Sequence, residues 1–121
     1  MIRMIGTRII VPKGDTGIFM LPKKGVETIE DVAIFSVLDP LTRKTVIEKV
    51  IPITGAYFSV ELKNEDTKHL EAGKYIWDIK TYHTPIYDDD GIIIDAMEIN
   101  SYYSAFKQPL FIIKEVAKNV Q

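Results

Sequence analysis

An all-β sandwich is the fold class that this sequence predicts, and three observations predict it. Apolar stretches are short, rich in Ile, Val, Tyr and Phe, and broken about every ten residues by Gly, Pro, Asn or Asp, the spacing of strands and turns in sandwiches and barrels. Several of those stretches alternate apolar and polar residues with the period of two that a half-buried strand shows. The breaks also carry the chemistry of chain reversal. Asp39-Pro40-Leu41-Thr42 joins an Asp that bonds its own backbone to a Pro that sets φ. Asp88-Asp89-Asp90-Gly91 is the strongest hairpin signal in the chain.

Each element follows in order. Residues 7–11 read as a first strand, stopped by Pro12-Lys13-Gly14-Asp15. Residues 17–21 resume extended structure until Pro22. Residues 32–38 form a long strand with Val32, Ile34, Ser36 and Leu38 on one face and Ala33, Phe35 and Val37 on the other; two apolar faces place it centrally. Residues 44–51 alternate Val46, Glu48 and Val50 against Ile47, Lys49 and Ile51. Residues 56–63 point Phe58, Val60 and Leu62 inward and Ser59, Glu61 and Lys63 outward. Residues 64–70 carry helical-turn signals, with Asn64 or Asp66 placed to cap one short turn and Gly73 to end it. Residues 75–82 form the next strand, with Tyr75, Trp77 and Ile79 on one face and Asp78 and Lys80 on the other. The flanks of the Asp-Gly turn, residues 82–87 and 92–99, pair across it, and residues 101–106 extend that ribbon. Residues 110–117 read as a closing strand, although Leu110, Ile113, Val116 and Val120 also fit a helical spacing.

Composition bounds the function. The chain has 121 residues, suited to one domain over 1–121, with 46% hydrophobic and 26% charged residues, ordinary for a folded globular chain. A net charge of −2 offers no field to draw nucleic acid or anionic lipid. No apolar run approaches the ~20 residues needed to cross a bilayer, and the first residues are too soon interrupted for a secretory signal. Cys is absent, which removes disulfides, thiolate metal sites and a Cys nucleophile together. Two sheets must therefore hold by packing alone.

The stretch Asn64 to Ile79 sets a polar turn and a Gly ahead of one Tyr and the only Trp. A sheet-to-sheet crossover needs those parts. Asn64, Asp66 and Thr67 satisfy the turn's backbone, Leu70 anchors it, Gly73 reverses φ, and Tyr75 hydrogen-bonds back upstream, as the corner Tyr of immunoglobulin-like sandwiches does. Two residues later, where antibody domains place a disulfide Cys, stands Trp77. A buried Trp removes about 200 Å² from water, on the order of several kcal/mol, and can fill the space between sheets. The fold expected is an immunoglobulin-like antiparallel β-sandwich.

Gly14-Asp15-Thr16 ahead of an apolar strand, followed by Asp66, Thr67, Leu70, Gly73, Tyr75, Trp77 and Asp78, resembles an immunoglobulin-like domain of tailed-phage and prophage structural proteins, similar to the N-terminal domain of phage baseplate upper proteins. The resemblance spans most of the chain. It implies a virion structural role in the tail or baseplate, partners among other tail and baseplate proteins, self-association, and no active site or cofactor. It also implies assembly in the cytoplasm and residence in the virion.

The residues offer little competing chemistry. Asp88, Asp89, Asp90 and Asp95 are oxygen ligands suited to Ca²⁺, but their spacing lacks the EF-hand alternation, and a solvated turn explains them. Asp66, Thr67 and His69 could be assembled into a catalytic set; the corner explains them better. His69 and His83 have no carboxylate at a triad or ligand spacing, and no Ser lies in a Gly-x-Ser-x-Gly elbow. Asp15-Thr16-Gly17 matches the aspartic-protease tripeptide, a chemistry that needs two such aspartates, and the chain has one. Tyr82, Tyr87, Tyr102, Tyr103 and Phe106 gather around one ribbon with Ile92, Ile93 and Ile94. Core packing, a subunit interface and sugar stacking all fit them; the interface is the functional expectation, at Ile92, Ile93, Ile94, Tyr102, Tyr103 and Phe106. A carbohydrate- or cell-surface-binding module on the same fold is the alternative.

Overall fold

The computed structural model describes residues 1–22, 32–52, 57–91, 93–101 and 109–115; of Pro22, Pro52 and residues 83–87 and 93–101 it describes the backbone alone. The chain is all-β, as the sequence predicts, with nine strands and one four-residue helical turn among the described residues. The strands are β1 (Arg3–Ile5), β2 (Arg8–Pro12), β3 (Gly17–Pro22), β4 (Val32–Leu38), β5 (Thr45–Pro52), β6 (Tyr57–Leu62), β7 (Gly73–Tyr87), β8 (Ile93–Ser101) and β9 (Leu110–Lys114), with the turn α1 (Asn64–Thr67) between β6 and β7.

They form two unequal sheets. The large one runs β1-β2-β9-β7-β4-β5, with β8 also on β7; the small one is β3 paired with β6. β4 is central, between β5 and β7, as its two apolar faces require. β7 is one continuous strand of 15 residues, where the sequence suggests two pieces. Its first residues pair with β9 and its last with β8, and between them the Trp77 N–H donates to the Pro109 carbonyl at 2.9 Å. The closing segment is strand, not helix, over Leu110–Lys114.

β1 is an element the sequence reading omits. Gly6, at φ +61, opens a two-residue turn that pairs Ile5 with Arg8; Gly at the first turn position is the II′ hairpin signal. β2 then runs parallel to β9, the one parallel pair among the described strands. Gly73 also departs from expectation. The helical turn ends at Thr67 with Lys68 as its C-cap, and Gly73 instead opens β7 opposite Ile113.

The core lies between the sheets. From the small sheet come Phe19, Leu21, Phe58, Val60 and Leu62; from the large one come Ile9, Val11, Phe35, Val37, Trp77, Ile79, Phe111 and Ile113, all buried. Phe35 sits at the junction. It meets Phe19 of the opposite sheet edge-on at 5.5 Å, stacks on Trp77 at 6.0 Å and tilts against Phe111 at 6.2 Å, separations at which aromatic pairs add to simple burial. Trp77 is 1% exposed, and its Nε1–H donates to the Thr7 carbonyl at 2.8 Å. One side chain therefore fills the core and holds the β1–β2 turn in place. Trp77→Phe strands that carbonyl and leaves a small void; the expected loss is about 2 kcal/mol, read as a lower urea midpoint at unchanged slope.

Candidate functional site

The residues singled out in the sequence come together where β6 of the small sheet passes into β7 of the large one. Leu62 ends β6 in the core, and the chain turns once through α1. The cap is Lys63, not Asn64 or Asp66. Asp66 reaches back, its Oδ2 accepting the Lys63 N–H at 2.7 Å, which satisfies one of the donors a helical turn leaves open. The same oxygen lies 2.8 Å from Lys49 Nζ on β5. Asn64 is thereby free for a distant partner: its Nδ2 donates to the Gly14 carbonyl at 2.8 Å.

Thr67 completes that contact. Fully buried, its Oγ1 accepts the Gly14 N–H at 2.7 Å. Both backbone groups of Gly14 are thus held by α1 across about 50 residues of sequence. Gly14 has φ +80, and a Cβ there would stand 2.9 Å from Asn64 Nδ2. Backbone conformation requires glycine here, and a Cβ would also push the exposed Asn64 amide off the Gly14 carbonyl. The neighbouring Asp15 takes an ion pair from the amino terminus at 2.7 Å. That hydrogen bond lowers the carboxyl's pKa, opposed by partial desolvation.

Tyr75 closes the corner. Its Oη donates to the Glu71 carbonyl at 2.7 Å, and the ring is buried. Leu70 packs on the core from its edge, and its N–H donates to the Thr67 carbonyl at 2.9 Å. Burial, then the charges of Asp39 and Glu71, push the phenol's pKa above its ordinary value. Asp66, Thr67 and Asp15, the residues most open to a catalytic reading, are each engaged in architecture.

The acidic hairpin tip is a self-satisfied turn. Asp88 Oδ1 accepts the Asp90 N–H at 2.9 Å, the Asp88 carbonyl accepts the Gly91 N–H at 3.0 Å, and Gly91 has φ +79. Among the described residues no cluster of three His, Cys, Asp or Glu could hold a metal ion; the Asp95 side chain lies outside them. Of the expected interface, Ile92, Tyr102, Tyr103 and Phe106 lie outside the described residues, and Ile93 and Ile94 are described in backbone only, within β8.

One concave surface was not legible in the sequence. A cavity of about 330 Å³ opens on the outer face of β5, β4 and β7, with Ser36, Glu48, Asp78, Lys80 and Tyr82 among its lining. Register explains it. Glu48, Ser36 and Asp78 stand in one row across the three strands, so the small Ser36 leaves a depression between longer neighbours. Arg43 lines the rim from the β4–β5 turn and has φ 62, a conformation uncommon outside glycine and asparagine. The turn itself is held by Asp39, whose Oδ1 accepts the Leu41 and Thr42 N–H groups at 2.8 and 3.3 Å. Among the described residues no helix is long and apolar enough to cross a membrane.

Comparison with protein-family models, with curated proteins and with solved structures returns no match for this chain.

Two substitutions test the joint between Gly14 and α1. Gly14→Ala is expected to cost about 2 kcal/mol and Thr67→Val about 1–2 kcal/mol through the stranded N–H. Because both act on one contact, the double variant should lose clearly less than their sum in urea melts. Tyr75→Phe is expected to cost about 1 kcal/mol at neutral pH. The native phenol holds its proton more tightly than the unfolded one, so its contribution is complete below the ordinary tyrosine pKa near 10 and is lost as pH rises through the native value. The gap between wild type and Tyr75→Phe should therefore narrow in melts above pH ~10.

Proposed function

We propose that the chain is a non-enzymatic structural component of a tailed-phage or prophage particle, in its tail or baseplate, working through protein–protein contacts on an immunoglobulin-like frame. One observation carries the reading. The two motifs behind the resemblance, Gly14-Asp15-Thr16 and the stretch from Asp66 to Trp77, meet in a single joint through the Gly14–Thr67 and Asn64–Gly14 hydrogen bonds. In this chain they form one structural device, which supports reading them together. Strand order supports the frame. β3 with β6, and β5-β4-β7-β9, run in the order that a B–E pair and a C′-C-F-G sheet of a variable-type domain would give, with β8 as an added strand on β7.

A carbohydrate- or cell-surface-binding module is the second reading, favoured by the cavity beside Tyr82, Asp78 and Glu48, whose volume lies at the small end of ligand sites. Quantitative peptide mass spectrometry of particles purified from the encoding strain separates the two. The virion reading expects the chain at fixed stoichiometry to known tail proteins. Its absence from intact particles, with saturable heat on titrating host cell-wall polysaccharide into the purified protein, would transfer the assignment to the binding module.

A further inference from the structure

We infer that the hollow on the outer face of β5, β4 and β7 is a binding site for a short, uncharged saccharide. The inference rests on the binding-module reading above and names the ligand class of that same cavity. The order of charge along the hollow carries it. Three rows cross the strands in register: Leu38 beside Ile76, then Ser36 between Glu48 and Asp78, then Ile34 between Val50 and Lys80. Arg43 lines the hollow from the β4–β5 turn, past the Leu38 row. Asp39, also in the lining, spends Oδ1 on the turn's own Leu41 and Thr42 N–H groups. Cationic side chains therefore stand toward both ends and two carboxylates flank the middle, with successive rows of one face about 7 Å apart.

That order discriminates between ligand classes. A simple cation drawn to Glu48 and Asp78 meets Lys80 one row away, and a simple anion drawn to Lys80 or Arg43 meets the carboxylates, so neither gains a consistent field. A zwitterion finds no single axis of charge to lie along. Hydroxyl groups suit the pattern, because each both donates and accepts. They donate to Glu48 and Asp78 and accept from Lys80 and Arg43, in charge-assisted bonds stronger than neutral ones. The floor fits the same ligand. Ile34, Leu38 and Ile76 offer apolar surface to the C–H face of a sugar ring, and Tyr82 adds an aromatic side chain at the Lys80 end. Volume sets the length: about 330 Å³ lies at the small end of ligand sites and suits a mono- or disaccharide. Ser36, the small residue of the central row, makes that room.

Heteronuclear NMR titration of the purified chain with maltose, cellobiose and N,N′-diacetylchitobiose, each to ~100 mM, tests this, with putrescine and inorganic phosphate as charged probes. At least one saccharide should give saturable amide shifts along β4, β5 and the Ile76–Tyr82 part of β7, with a Kd of roughly 0.1–10 mM. The charged probes should not saturate there. Ser36→Leu, which fills the hollow, should weaken saccharide binding by about tenfold or more, and Glu48→Gln by about threefold to tenfold. Ile18→Ser, on the outer face of the small sheet, should leave it unchanged. No saturable shift with any of the three saccharides, saturation by putrescine or phosphate in their place, or saccharide binding indifferent to both hollow substitutions overturns the site. Each of those results leaves the virion reading to be judged by particle composition alone. Should Ser36→Leu fail to fold, Glu48→Gln applies the same test from an exposed side chain.

Discussion

The contact of Phe35 with Phe19, Trp77 and Phe111 is the constraint from which the rest of the structure follows, because nothing covalent joins the sheets. A chain without cysteine must supply through packing what a disulfide supplies in many small sandwiches. Four aromatic rings, two on adjacent large-sheet strands, one on β9 and one across the gap on β3, do so. Trp77 is the member with a polar end, and its indole N–H reaches out of the core to the Thr7 carbonyl. The packing of the interior and the placement of the first hairpin are therefore one event.

Crossing from the small sheet to the large one is the second demand. The chain must leave the interior at Leu62, reverse, and return at Tyr75 without abandoning buried backbone groups, each of which costs about 1–3 kcal/mol if unpaired. α1 solves this with side chains. Asp66 serves its own cap and Lys49, Thr67 and Asn64 hold both backbone groups of Gly14, and Tyr75 ties the return to Glu71. Asn64, Asp66, Thr67 and Tyr75 are each engaged in the crossover. That is why a stretch dense in Asp, Thr and His reads as chemistry at first sight and resolves as a corner.

The unequal sheets have a consequence for the surface. Moving β2 to the large sheet extends it to β1-β2-β9 on one side, yet leaves β3 with one described neighbour. On its outer face β3 exposes Ile18 and Met20, while Phe19 and Leu21 point into the core. On the opposite face, the row Glu48–Ser36–Asp78 produces a depression through nothing more than a small residue in a central strand. The hollow is mixed in character, with Ile34, Leu38 and Ile76 beside Glu48, Asp78 and Lys80.

Local signals were enough for much of this. Period-two alternation located β4, β5 and β6 to within a residue or so, Asp-Pro and Asp-Gly located the turns, and the Tyr-x-Trp pair after a polar turn indicated the corner, because each of these depends on neighbours a few positions apart. The hydrogen bonds of Gly14 with Thr67 and Asn64, the Lys49–Asp66 ion pair, the parallel β2–β9 pairing and the hollow at Ser36 had no such signature. Each joins segments distant in sequence, and any Thr, Lys or Ser would look the same locally. Periodicity specifies which face of a strand is buried. Which strand lies beside it, and so which edge remains open, is decided only when the whole chain packs.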